Sequence, residues 1–199
     1  MTTQTKPPPQ SSSVLNLPVR RFTVAEYYAM AEAGILTEDD RVELLDGVIV
    51  EMAPVGSRHV GCVNLYTRWL VRLVEDRAIL QVQGSVHLAD DTEPQPDLAL
   101  LRDRPDFYSS SHAEPSDVLL LIEVADSSVG YDRSEKLPRY AQAGIPEVWI
   151  TVLPERIIEA HTEPMNGQYT HRHIYVPGDA ITPGCFPDIV LPVSEILPD

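Results

Sequence analysis

The chain has 199 residues, enough for one domain with a substantial core and a tail. Its 43% hydrophobic and 23% charged residues are those of an ordinary globular protein, and no apolar run approaches the roughly 20 residues of a membrane span. A net charge of −15 and a pI near 4.6 exclude a broad basic footprint, so a nucleic-acid substrate would have to meet a local patch, a bound metal or a partner.

Residues 1–19 carry Pro7-Pro8-Pro9 and Ser11-Ser12-Ser13 without a periodic apolar face, and are expected to be a disordered leader to a single domain, 20–199. The stretch lacks the apolar block of a secretory signal, so a cytoplasmic location is expected. Cys62 and Cys185 lie far apart without metal-finger spacing and read as reduced, packed thiols.

Thr23-Val24-Ala25-Glu26 has capping-box spacing and opens a short helix to about Ala33, ended by Gly34. Asp46-Gly47 between residues 41–45 and 48–52 marks a hairpin, because that dipeptide supplies the positive φ angles of a tight turn. Glu43 lies on its first strand and either faces solvent or serves a site. Val60, Val63, Tyr66, Leu70 and Leu73/Val74 fall at helical spacing from Ser57 to about Glu75, with His59 in the first turn. Alternation from Leu80 to Leu88 predicts one half-buried strand with His87 on its polar face. Asp90, Asp91 and Glu93 read as a solvated turn.

A short strand, Asp97–Leu101, precedes a polar loop over 102–116 and a continuous apolar strand, Val118–Val124. Asp132 is placed to cap a helix running towards Gly144. Pro138 is out of keeping with its interior, unless the regular helix starts nearer Pro138 and leaves Lys136 on its approach. Another strand, Glu147–Leu153, and a second hairpin around Asn166-Gly167 follow. His171 and His173 share a face of its return strand but lack a third metal ligand. The proline-broken tail from Thr182 is expected to wrap the sheet edge.

Glu123 and Asp97 each sit beside a core strand, where a carboxylate needs a cation or hydrogen bonds to offset desolvation. Two readings are open. Asp97, Glu123 and the Val124 carbonyl form an all-oxygen set suited to Mg2+ or Mn2+, with the Lys136 ammonium nearby to stabilise charge on a phosphoryl group. Alternatively Glu123 pairs with Lys136, and Asp97 with an arginine, as buried salt bridges that hold strand ends in register.

Pro96-Asp97, Glu123-Val124-Ala125 and the elements around them resemble the PD-(D/E)XK nuclease superfamily, and more closely its Uma-type restriction endonuclease group. The resemblance runs from about Arg21 to Asp199. It includes Val42-Glu-Leu-Leu-Asp-Gly, Met52-Ala-Pro-Val-Gly-Ser-Arg-His, Gln95-Pro-Asp-Leu and Asp132-Arg-Ser-Glu-Lys-Leu-Pro-Arg-Tyr. It implies a mixed α/β (α+β) restriction-endonuclease-like sheet flanked by helices, with extra β-hairpins. It also implies a metal-dependent endonuclease that hydrolyses DNA phosphodiesters with Mg2+ or Mn2+.

On this resemblance Asp97, Glu123, Lys136 and Glu43 are the catalytic candidates. Asp97, Glu123, Val124 and His59 are the metal candidates. Arg133 and Arg139 flank Lys136 as a basic stripe for the DNA backbone, and a homodimer is expected. The chain departs from the pattern at Ala125, where the strand lysine is absent and its role falls to Lys136. It departs again at Ala125–Val129, where only Ser128 matches the usual Leu-Ser-Pro-Ser-Thr. The acidity of the chain and the altered 125–129 segment leave open a catalytically inactive nuclease-fold interaction module, and the acidity also leaves open a small-nucleotide phosphoesterase.

Overall fold

The computed structural model describes residues 19–37 and 39–197, so the expected leader, 1–19, lies outside the described residues except for Val19. Thr23 caps helix α1 (Val24–Glu32) through the full capping box, with the Glu26 amide donating to Thr23 Oγ1 at 3.2 Å and the Thr23 amide to Glu26 Oε2 at 3.0 Å. Strands β1 (Val42–Leu45) and β2 (Val48–Glu51) pair across the Asp46-Gly47 turn, whose φ angles are 47° and 74°. A Cβ at Gly47 would also lie 2.5 Å from that of Arg21, so glycine is required there twice over.

Helix α2 (Ser57–Val74) buries Cys62, Val63, Tyr66, Leu70 and Val74, the apolar stripe of its helical period. Six strands form the main sheet in the spatial order β3 (Ala78–Val82), β4 (Leu98–Arg102), β5 (Val118–Ala125), β6 (Glu147–Val152), β7 (Ile157–Met165) and β8 (Gln168–Tyr175). β5 and β6 run parallel, and the other neighbours are antiparallel.

A parallel pair needs a crossover. Here it is α3 (Val129–Tyr131), a π-helical turn over Asp132–Lys136 and α4 (Leu137–Gln142). The π turn answers the Pro138 question. Leu137 N–H reaches back five residues to the Asp132 carbonyl, and Pro138 falls in the first turn of α4, where a missing N–H is tolerated.

The sheet is covered on both faces, and β6 is buried along its whole length, as a central parallel strand should be. On one side α2 packs Tyr66 and Leu70 against Trp149, Leu120 and Ile122. On the other, Tyr140 and Ile145 pack against Leu121, Val148 and Ile150.

Two expectations are corrected. The strand expected over 80–88 stops at Val82, because Gln83 takes a positive φ of 51° and turns the chain away; Val86 bridges Ala113 instead. The tail does not wrap the sheet edge. Strands β9 (Ala180–Ile181) and β10 (Leu191–Pro192) and helix α5 (Val193–Ile196) close over α2, burying Ile181, Leu191, Val193 and Ile196 completely. Among the described residues no helix is long and apolar enough to cross a membrane.

The tail is therefore core. Ile196→Ala should lower stability by about 2–5 kcal/mol in urea denaturation, the cost of a large-to-small core change. A loss within about 0.5 kcal/mol would show the tail to be peripheral.

Candidate active site

A cavity of about 500 Å3 opens where the β1–β2 hairpin, the start of α2, the ends of β4 and β5 and the crossover turn meet. Lys136 lies at its base, only 6% exposed. Its ammonium donates to Glu123 Oε1 and Oε2 at 3.2 and 3.4 Å and to the Gln95 carbonyl at 3.3 Å, and stands 3.3 Å from Glu43 Oε2.

Each partner is itself held. Glu43 accepts from the Gln95 amide at 3.0 Å and the Tyr131 hydroxyl at 2.8 Å. Glu123 accepts from the Tyr140 hydroxyl at 2.6 Å. Asp97, at the mouth of β4, accepts from the Val124 amide at 2.8 Å and lies 3.0 Å from His59 Nε2. Asp132 is buried and accepts from the Ser128 hydroxyl at 2.7 Å.

Six carboxylates thus line the cavity with a single lysine, and four of them, Glu43, Asp97, Glu123 and Asp132, are the ones gathered around it. Burial alone would favour neutral Lys136, but the carboxylates of Glu123, Glu43, Asp132 and Asp97 outweigh it and raise its pKa, so it stays an ammonium. The reverse holds for Glu123. Burial pushes it up to about 8; Lys136 relieves this only in part, while Asp132 and Asp97 push the same way as burial. Burial also raises Asp132. Lys136 at the cluster and the exposed Arg41 at the rim do not balance this many anions.

A divalent ion fits that surplus. Asp97 and Glu123 are hard oxygen donors, and Val124 adds another, since a strand residue's N–H and C=O point to the same side and its N–H faces Asp97. Among the described residues no three His, Cys, Asp or Glu side chains are already grouped to hold a metal. Two carboxylates and a carbonyl, completed by water, would suit an ion that keeps several waters, as Mg2+ does. The Nδ1 of His59 is buried without a partner.

Asp97, Glu123, Val124, His59, Glu43 and Lys136 all line this cavity. Both readings of Glu123 meet here, because its pairing with Lys136 exists within the acidic cluster. Asp97 pairs with His59 and a backbone amide rather than with an arginine.

Arg133 and Arg139, expected as a basic stripe, are both ion-paired. Arg133 bonds Glu159 and lies 3.7 Å from Glu155, and Arg139 bonds Asp46 at 2.6 Å and Glu135 at 3.1 Å. Asp132 was expected only to cap a helix, and Tyr140 was not singled out. Their spacing was the available signal, since Asp132, Lys136 and Tyr140 recur every four residues and so share a helical face. Glu93, expected in solvent, is buried, accepting from the Tyr28 hydroxyl and lying 3.2 Å from Nδ1 of His87.

A mixed sheet flanked by helices, with acids at the ends of adjacent strands, defines a restriction-endonuclease-like fold. A crystal structure described as "a putative nuclease belonging to DUF820" from Anabaena variabilis shares it. The TM-score is 0.68 at 12% identity, covering 88% of this chain and 97% of that one. Residues 24–194 match the model of the Uma2 family, described as "Putative restriction endonuclease", and the chain belongs to that family. No curated protein matches the chain.

The crossover turn is anchored at its far side by Glu159, which is buried between Arg133 and Arg172. Burial alone would raise the Glu159 pKa, but bonds from Arg133, Arg172 and His161 outweigh it and hold the carboxyl below its usual 4.5. A depressed carboxylate contributes stability above its unfolded pKa and loses it as pH falls through the folded value. The urea midpoints of wild type and Glu159→Gln should therefore differ at about pH 7 and converge only as pH falls below 4.5 and through the folded value. Parallel curves throughout would contradict the pairing.

Proposed function

We propose that this protein is a metal-dependent endonuclease that hydrolyses phosphodiester bonds in DNA, with Asp97, Glu123 and the Val124 carbonyl holding Mg2+ or Mn2+. The observation that carries the reading is the cavity in which several buried carboxylates surround one retained ammonium. Family membership and the shared fold support it. A stabilising salt bridge needs one acid per base; the further acids beside it suit a cation site.

When bound, a divalent ion supplies Lewis acidity towards a phosphoryl oxygen and lowers the pKa of water at the site. The chain's own residues do the rest. Lys136, kept charged by its carboxylate neighbours, does not act as a general base; its ammonium orients the attacking oxygen and stabilises negative charge on the phosphoryl oxygens. Glu43 fixes Lys136 from the hairpin side, and Tyr131 and Gln95 fix Glu43. His59 holds Asp97 from the first turn of α2, and the Val124 amide holds it from β5. Tyr140 keeps Glu123 turned towards the cavity. Positioning and charge stabilisation are what phosphoryl transfer chiefly requires.

Asp97→Asn combined with Glu123→Gln should abolish nicking of supercoiled plasmid in Mg2+, while the fold persists by circular dichroism. Lys136→Met should lower the rate by about 10²–10³-fold, the usual effect of removing one charge-stabilising donor, with manganese affinity retained. Wild type and the double variant nicking equally would exclude this function and leave an inactive nuclease-fold module.

A further inference from the structure

A second hollow of about 750 Å3 lies between α1, the β1–β2 hairpin and the segment leading to Asp97. It shares Arg41, Met52 and Gln95 with the active-site cavity, so the two adjoin. Gln95 marks the boundary, since its amide bonds Glu43 and its carbonyl accepts from Lys136.

The wall of this hollow is aromatic and braced. Tyr27 and Tyr28 meet edge to face with ring centroids 5.6 Å apart, and each is half-buried. The Tyr27 hydroxyl donates to the Val42 carbonyl at 3.1 Å, and the Tyr28 hydroxyl to buried Glu93. His112, which does not line the hollow, stacks on Tyr28 with ring centroids 5.6 Å apart, and the parts of Tyr27 and Tyr28 that do line it form a surface for a flat, uncharged ring.

The charge of the protein points the same way. With a net charge of −15, few phosphates can be neutralised, so backbone contacts contribute little to affinity. Arg41 is exposed at the junction of the hollows and has no charged or hydrogen-bonded side-chain partner among the described residues. It can meet one phosphate. Base contacts must supply the rest, and a fully paired duplex keeps its bases stacked out of reach.

We propose that the second hollow is a nucleobase subsite, and that the substrate is DNA presenting an unpaired nucleotide next to the bond to be cut. This rests on the endonuclease reading above. A base leaves the strand, settles against Tyr27 and Tyr28, and brings the adjoining phosphate past Arg41 to Lys136. Affinity from stacking is tolerant of sequence, and binding to one or two phosphates gives a shallow salt dependence.

The test compares three labelled substrates of one sequence in Mg2+: a single strand, a blunt duplex, and a duplex with an internal unpaired loop. Wild type should cleave the single strand and the looped duplex with kcat/KM at least about tenfold above the blunt duplex, a difference within the range of one base–aromatic contact. Ala31→Trp, on the exposed face of α1 lining the hollow, should fill the hollow and remove about fivefold or more of that activity. Manganese binding by calorimetry should be unchanged in that variant. Tyr28→Leu gives a second route, raising KM for the single strand while leaving kcat nearly the same.

Equal cleavage of paired and unpaired substrates would overturn the subsite. So would retention of single-strand activity within about twofold in both variants. If wild type cleaves none of the three in Mg2+ or Mn2+, it is the endonuclease reading itself that fails.

Discussion

The structure is arranged around one buried ammonium. Lys136 gives up nearly all of its hydration, at a cost of several kcal/mol, which only close carboxylates and hydrogen-bond acceptors can offset. Those partners come from separate parts of the chain: Glu43 from the hairpin, Gln95 from the approach to β4, and Glu123 from the central strand. The cluster therefore ties together elements that are remote in sequence. Stability alone does not call for it, because a buried ion pair is often replaceable by apolar residues at no loss. What an apolar replacement could not provide is a cavity with more negative than positive charge, opening at the ends of two core strands.

The crossover shows how a local change of helical pitch serves that cluster. The π turn absorbs Pro138 and presents Asp132, Lys136 and Tyr140 inward. Its outer side is clamped by Arg133 to Glu159 on β7, and Arg139 reaches the hairpin turn at Asp46. The same arginines that looked available for a nucleic-acid backbone are structural ties. With both arginines ion-paired, the acidity of the chain weighs more heavily on the proposed DNA substrate, which is the ground for the base contacts proposed above.

Much of this was legible in the sequence where the signal was local. The Asp46-Gly47 turn, the capping box at Thr23 and the apolar run of β5 each follow from nearby residues, and each is present. The six residues proposed for the site also share one cavity, because acids beside core strands have few other ways to be accommodated. What failed was tertiary. Strict alternation over residues 80–88 concealed the change of backbone direction at Gln83. Glu93 looked like a loop acid because its partners, Tyr28 and His87, stand on other segments. Charges at 133 and 139 were visible, but Glu159 and Asp46, which occupy them, are far away in sequence. The tail's apolar residues had no period to reveal that α2 was their partner.

The proposed activity requires Asp97 and Glu123 to act together on one divalent ion. Calorimetric titration of the metal-free protein with Mn2+ tests this most directly. It should give saturable binding at about one ion per chain, an ion held by two carboxylates and water, and Asp97→Asn with Glu123→Gln should eliminate it. Undiminished binding in the double variant, or none in the wild type, would contradict the account.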